Sequence, residues 1–243
     1  MFNFFKKKSA KPVDRLRTDV HSHLLPDLDD GVETYEEALK IVKGFSDLGY
    51  QKLITTPHIM RDFYNNSEDD IRLKIIELNS LINQKGLSIE VVPGAEYYLD
   101  ETLLENIKNS NKEFLTFGDN YMLFETSFMN EPFYLKEFIF EAKSRGINPI
   151  MAHPERYTYI HGNFDVATDL IDRGVLFQVN INSFIGYYSK EVKKTAEKLV
   201  DAGYVHLLGS DCHNQKHFDV LQKSRTEKYY YKALLLPLIN YTL

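Results

Sequence analysis

Cysteine occurs once in these 243 residues, at Cys212, which excludes an internal disulfide framework and fits a reducing compartment. No run of about 18 apolar residues is present, so no segment is expected to span a bilayer. Residues 1–8 place their lysines after their aromatics and lack a signal peptide's apolar segment, so a cytoplasmic protein is expected. That Phe/Lys tail reads as a solvated terminus or as a weak contact with a membrane surface or partner. Basic charge is not in surplus either. With 29 Lys and Arg against 35 Asp and Glu, the net charge of −6 gives no overall support for nucleic-acid binding. Low-complexity and linker-like segments are also missing.

What is present suits a globular α/β protein: 43% hydrophobic residues, enough for a sizeable core. Seven β-rich apolar stretches lie around residues 18–21, 52–56, 88–92, 121–124, 147–152, 175–179 and 204–209. Helical periodicity fills most of the gaps. In the first gap, Thr34-Tyr35-Glu36-Glu37 has capping-box spacing, and Ala38, Ile41, Val42, Phe45 and Leu48 then recur on one face. Gly49 follows as a stop signal, and Gly86, Gly146, Gly174 and Gly203 close helical stretches at 71–85, 135–145, 165–173 and 191–202. This alternation predicts parallel strands in one domain over residues 18–243, preceded by a flexible tail at 1–17.

The eight histidines are unevenly distributed. Five lie where apolar stretches end, in His21-Ser22-His23, Pro57-His58, Ala152-His153-Pro154 and Asp211-Cys212-His213. Asp30, Glu96 and Glu125 occupy comparable positions, so with Asp211 nine nitrogen or oxygen donors are available. Ligands at six of seven strand ends favour a barrel, whose strand ends converge on one mouth, over an open sheet. The remaining strand ends Gln178-Val179-Asn180-Ile181-Asn182, and its amides are able to face the same mouth. His161, His206 and His217 lack this placement and read as surface or structural residues.

A lone strand histidine is more often hydrogen-bonded than metal-bound, but His-x-His and Asp-x-His place alternate residues on one face. Imidazole and carboxylate donors suit manganese, iron or zinc. Nine exceed the needs of one ion and imply two or three, a setting suited to phosphoester hydrolysis. Arg156, three residues beyond His153, is the leading candidate to orient a phosphate, and Arg61, three residues beyond His58, is the second. A cysteine-dependent phosphatase would require arginine six positions after its nucleophile, where Cys212 is followed by Phe218. Between Asp211 and His213 the thiol points to the opposite face and reads as packed. No Gly-x-x-x-x-Gly-Lys-Ser/Thr loop occurs. Tyr229-Tyr230-Tyr231, beside Ala233-Leu234-Leu235-Leu236, reads as helix packing rather than a phosphorylation site.

At these blocks the chain resembles the polymerase and histidinol phosphatase (PHP) superfamily, and within it the bacterial PHP-type protein-tyrosine phosphatases of capsular and exopolysaccharide synthesis. The resemblance rests on Asp19-Val20-His21-Ser22-His23 with Asp29-Asp30-Gly31, Thr56-Pro57-His58, Gly94-Ala95-Glu96, Phe124-Glu125, Ala152-His153-Pro154-Glu155-Arg156-Tyr157 and Gly209-Ser210-Asp211-Cys212-His213-Asn214, spanning residues 19 to 214. It implies a distorted seven-stranded β/α barrel with three divalent ions, commonly manganese, at the C-terminal ends of its strands. His21, His23, Glu96 and Asp211 would hold one ion, Glu96, Glu125 and His153 the second, and Asp30, His58 and His213 the third. The implied reaction is direct attack of a metal-activated hydroxide on phosphotyrosine, with Arg156 on the phosphoryl oxygens and a partner tyrosine kinase as substrate. The chain departs from the family pattern after Asp211-x-His213, where Asn214-Gln215-Lys216-His217-Phe218 lacks the second phosphate-binding arginine; Lys216, His217 or Arg61 would have to substitute. Alternatives are a PHP phosphomonoesterase acting on a small metabolite such as histidinol phosphate, and a non-catalytic PHP scaffold.

Overall fold

The computed structural model describes residues 14–243. The Phe/Lys segment expected to be solvated or to touch a partner lies outside the described residues. Residues 14–17, expected to belong to a flexible tail, include side chains that contact the rest of the chain. Leu16 is fully buried, and the Asp14 carboxylate accepts hydrogen bonds from Arg225 Nη2 and Tyr230 Oη, both at 2.7 Å.

The strands are β1 (Thr18–Asp19), β2 (Lys52–Thr55), β3 (His58–Ile59), β4 (Glu90–Pro93), β5 (Glu96–Tyr98), β6 (Tyr121–Glu125), β7 (Asn148–Ala152), β8 (Leu176–Asn180) and β9 (Leu207–Gly209). They form two parallel sheets, ordered β1-β2-β4 and β3-β5-β6-β7-β8-β9. All seven expected strand positions carry a strand, but the second and third are each interrupted. Thr56-Pro57 separates β2 from β3, where proline has no N–H for a ladder. Gly94-Ala95 separates β4 from β5, where a Cβ on Gly94 would lie 3.0 Å from both Ile54 Cγ2 and Thr56 Cγ2. Beyond the breaks, β3 and β5 belong to the six-stranded sheet.

Backbone hydrogen bonds link the two sheets at this level. Residues 21–23 bond to both sides: Thr56 N donates to Ser22 O (2.7 Å), Asp211 N to His21 O (2.8 Å) and His23 N to Cys212 O (2.9 Å). Strand alternation then divides the core. Ile54, Leu123, Ile150 and Leu207 share one small cluster with Val20, while their neighbours Leu53, Phe124, Met151 and Leu208 join the larger cluster under the helices.

The helices are α1 (Tyr35–Asp47), α2 (Glu68–Gln84), α3 (Glu101–Lys108), α4 (Leu135–Ser144), α5 (Thr158–Gly162), α6 (Asp165–Asp172), α7 (Lys190–Ala202), α8 (Gln215–Ser224) and α9 (Lys228–Ala233). Thr34 caps α1 by accepting from Glu37 N, whereas the Glu37 carboxylate reaches Glu33 N rather than Thr34 N, so the box closes one residue early. Ala38, Ile41, Val42 and Phe45 are buried as expected, and Leu48 is partly buried at the C-cap. Gly203 ends α7 at φ +75°, a left-handed conformation that lets its N–H reach the carbonyls of Leu199 and Val200. Tyr230 is fully buried, in keeping with helix packing. Among the described residues no helix is long and apolar enough to cross a membrane.

Candidate metal centre

The nine candidate ligands converge. Four overlapping groups of donor atoms, each within 4.8 Å, contain all of them: His23, Asp30, His58 and His213; His21, His23 and Glu96; His21, His153 and Asp211; and His58, Glu96 and Glu125. They surround a cavity of about 450 Å³ whose lining includes Asp30, His58, Glu96, Glu125, His153, Asp211 and His213. Strand geometry explains much of this. His58 and Glu96 are direct register partners on β3 and β5, and Glu125 ends β6, the strand paired with β5. His153 and Asp211 follow β7 and β9 with φ of +34° and +51°, left-handed values uncommon for residues with a side chain. That local strain occurs where the backbone delivers its donors.

Hydrogen bonds on the far side of the imidazoles determine where their lone pairs point. The Gln178 amide donates through Nε2 to Asn180 Oδ1, so its Oε1 accepts from His21 Nδ1 at 2.7 Å. His23 Nδ1 donates to the buried Asp29 carboxylate at 2.6 Å, and His213 Nδ1 donates to Asp211 O at 3.0 Å. With those protons on Nδ1, the Nε2 atoms of all three face the interior as acceptors. Nε2 of His21 then stands 3.2 Å from Nε2 of His23, 3.0 Å from Glu96 Oε2 and 3.4 Å from Asp211 Oδ1. In the neutral rings lone pairs therefore face lone pairs and carboxylates, an arrangement relieved by a cation among them, whether a divalent ion or a ring proton. Nδ1 of buried His153 has no hydrogen-bond partner, and its Nε2 lies 3.1 Å from Glu96 Oε1.

The electrostatics agree with the donor geometry. Burial works against a charged His21, but the Glu96 and Asp211 carboxylates outweigh it and raise its pKa to about 10. Burial likewise opposes ionisation of Glu96 and Asp211, yet neighbouring histidines hold both well below the usual carboxylate range. Protons on imidazoles thus supply the positive charge that this donor set would take from divalent ions. Oxygen and imidazole donors with no thiolate among them fit manganese, iron or zinc.

The groups differ in detail from the ligand sets implied by resemblance. His58 is shared: Nδ1 faces Glu125 Oε1 (3.1 Å) and Glu96 Oε2 (3.4 Å), while Nε2 faces Asp30 Oδ1 (3.7 Å). His23 joins the Asp30, His58 and His213 group, and its ring stacks on His213 with centroids 3.9 Å apart.

Arg156 lies at the cavity wall. Its Nη1 donates to Asp211 Oδ2 at 3.0 Å, and its guanidinium sits between the rings of Phe128 and Tyr188, 4.6 Å from each centroid. Arg61 is not brought to this cavity. It lines an adjacent hollow and donates to Thr102 Oγ1, with Tyr64 lining both spaces. His217, read as a surface or structural residue and also, from the resemblance, as one substitute for the missing arginine, lines the cavity, its Nδ1 3.1 Å from Asp211 O. Lys216 points toward the Tyr187 ring. His161 meets the Glu155 carbonyl and His206 accepts from Phe177 N, which are structural roles. Cys212 is fully buried and burial pushes its thiol pKa well up, as expected of a packed cysteine.

Several supporting residues carry no motif of their own. Asp29 accepts from His23 Nδ1, His58 N and Gly31 N. Asp211 Oδ2 accepts from Arg156, Asn180 Nδ2 (2.7 Å) and Tyr188 Oη (3.2 Å), which leaves Oδ1 toward His21 and His23. The amides of Gln178 and Asn180 do face the site. Buried Glu155, its pKa raised to about 7 by burial, accepts from Asn180 N and Ser183 Oγ and anchors that strand end. A carboxylate next to the Asp30 block and alternating amides on β8 were the available signals; Tyr188 left none.

Known proteins resemble this chain over most of its length. CapC of Staphylococcus aureus is 30% identical over 220 residues, covering 89% of this chain and 86% of the relative. Tyrosine-protein phosphatase YwqE of Bacillus subtilis is 28% identical over 199 residues, covering 82% of this chain and 78% of the relative. A crystal structure from a study of YwqE and Streptococcus pneumoniae CpsB, described there as metal-dependent tyrosine phosphatases, superposes with a TM-score of 0.77 at 26% identity, over 90% of this chain and 94% of that one. The model of the CpsB/CapC family of capsular polysaccharide synthesis matches residues 17–227, and this chain belongs to that family.

Proposed function

We propose that this protein is a cytoplasmic, metal-dependent phosphatase that hydrolyses phosphotyrosine on a partner protein, a tyrosine kinase controlling capsule or exopolysaccharide synthesis. The observation that carries the reading is the convergence of nine nitrogen and oxygen donors around one cavity with a partly buried arginine in its wall. Similarity to tyrosine phosphatases over most of the chain supports the choice of ester.

In this reading residues 18–243 form one domain, a distorted seven-stranded barrel. The bonds from residues 21–23 to both Thr56 and residues 211–212 support closure. His21, His23, Glu96 and Asp211, then Glu96, Glu125 and His153, then Asp30, His58 and His213 would hold three ions, with manganese preferred. Such ions polarise a phosphoryl group and lower the pKa of water. The chain's own residues do the positioning. Asp211 uses Oδ2 to hold Arg156 Nη1, and the rest of the guanidinium fork remains available to phosphoryl oxygens. Phe128 and Tyr188 flank that planar fork, and Tyr64 and Tyr187 add aromatic wall for the substrate ring.

The test compares a phosphotyrosine peptide, a phosphoserine peptide, histidinol phosphate and a short oligonucleotide under one set of metal conditions. Phosphotyrosine turnover is expected to dominate, to vanish on chelation and to return best with manganese. A wide preference for histidinol phosphate would overturn the substrate assignment while leaving the metal chemistry standing.

A further inference from the structure

The loop between β6 and α4 carries three large apolar residues within six positions, and all three are exposed: Phe128 (37%), Met129 (68%) and Phe133 (90%). Clusters of this kind on an otherwise polar surface mark contact sites. This loop is also tied down. Thr158 N and Oγ1 both donate to Phe128 O, at 2.8 and 2.9 Å, and Thr158 Oγ1 reaches Met129 O at 3.0 Å. Met129 N donates to Ser127 Oγ, and Phe133 packs edge-on against Tyr134 with centroids 4.7 Å apart. The main chain that carries Phe128 and Met129 is therefore anchored, which lowers the ordering cost of covering that part of the loop.

Phe128 joins this surface to the candidate catalytic cavity. Its ring lies over the Arg156 guanidinium, beside His153 at 5.7 Å and Tyr157 at 5.6 Å, and lines the cavity itself. A polypeptide whose phosphorylated tyrosine enters the cavity would pass its adjacent residues over Phe128 toward Met129 and Phe133. We infer that Met129 and Phe133 form a docking platform for apolar side chains flanking the phosphotyrosine of a protein substrate, an inference that rests on the phosphotyrosine reading above. Methionine and phenylalanine suit this role because they accept varied apolar partners without demanding one shape.

The test uses two phosphotyrosine peptides, one flanked by leucine and phenylalanine and one by serine and glycine, together with 4-nitrophenyl phosphate, which has no flanking residues. The manganese-loaded protein is compared with a Met129→Ser, Phe133→Ser double variant. The native protein should favour the apolar peptide by about tenfold in kcat/KM, through KM, and the double variant should lose that preference. Turnover of 4-nitrophenyl phosphate should be equal in both, which also shows that the variant is folded. Equal use of the two peptides by the native protein, or retained preference in the variant, overturns the platform alone. Self-association of the native protein that the variant abolishes, with no change in peptide preference, assigns the surface to a second copy of the chain and overturns substrate docking. No turnover of any of the three esters overturns the phosphotyrosine reading and the platform with it.

Discussion

Replacing Asp29 by asparagine changes one atom's chemistry and little of its size, and the consequences can be worked through. The Asp29 side chain is fully buried, and its Oδ2 accepts from both His23 Nδ1 (2.6 Å) and His58 N (3.0 Å) while Oδ1 accepts from Gly31 N (2.9 Å). All three partners are donors. An asparagine must turn its NH₂ toward at least one of them, setting donor against donor. Either orientation weakens the hold on His23: with the amide nitrogen toward it the ring moves its proton to Nε2, the atom that faces Glu96 and Asp211, and with the oxygen toward it a neutral acceptor replaces the carboxylate that keeps the proton on Nδ1. A protonated Nε2 cannot ligate. Loss of such orienting partners lowers metal affinity by about 10- to 100-fold, or about 1.4 to 2.7 kcal/mol. Manganese titration calorimetry of the metal-stripped protein measures the change, and peptide turnover should fall at limiting manganese and recover at excess. Unchanged affinity in a folded Asp29→Asn protein would refute the argument that this carboxylate sets the His23 tautomer.

Arg156→Lys keeps the charge but removes the planar fork held between Phe128 and Tyr188. Phosphotyrosine kcat/KM should fall by about a hundredfold at unchanged metal content, a loss typical of removing one oriented donor; native turnover would exclude Arg156 from phosphoryl binding. Cys212→Ser should retain turnover per folded, metal-loaded molecule, because the thiol is buried, and should lower stability by about 1–2 kcal/mol in denaturant titration. Abolished turnover in the folded variant would point instead to thiol chemistry. Burial holds the His206 pKa below its ordinary 6.5, and the neutral ring accepts from Phe177 N at 3.1 Å. Its contribution is therefore present above pH 6.5 and shrinks as pH falls below that value, because the unfolded chain binds the proton first. His206→Asn preserves an acceptor without titrating, so between pH 7 and 5 it should lose less stability than the native protein; parallel pH profiles would contradict the assignment.

Legibility differed by the range of the interactions involved. The helix-ending glycines and the alternation around His21 and His23 are local signals, so the α/β order and the convergence of candidate ligands could be read from the chain. The breaks at Thr56-Pro57 and Gly94-Ala95 were present as residues but not as geometry. Whether a proline ends a strand or bends it depends on what the far side pairs with, here Glu96 N with Pro57 O across two segments. Arg61 and His217 exchanged expected places for the same reason. Three residues beyond a ligand does not specify direction: Arg61 turns toward Thr102 on α3, whereas His217 lies in the first turn of α8 and is directed over Asp211. Tyr188 approaches Asp211 from 23 positions away, and no spacing rule connects the two.

Those strand breaks also account for how parallel register becomes a metal site. An uninterrupted second strand would keep pairing with β1 and β4, as Lys52–Thr55 does, and its histidine would remain in that ladder. After Pro57 the chain pairs instead with β5, which sets His58 opposite Glu96. Gly94 makes the matching change possible on the neighbouring strand, since its missing Cβ is what lets the chain pass Ile54 and Thr56. The two breaks act together: moving one strand alone would separate His58 from Glu96 by disrupting their register. The same level of the fold carries the bonds from residues 21–23 to Thr56 and to residues 211–212. Ligand proximity is therefore held by main-chain pairing, and side-chain partners such as Asp29 and Gln178 have only to orient rings that the backbone has already brought within reach.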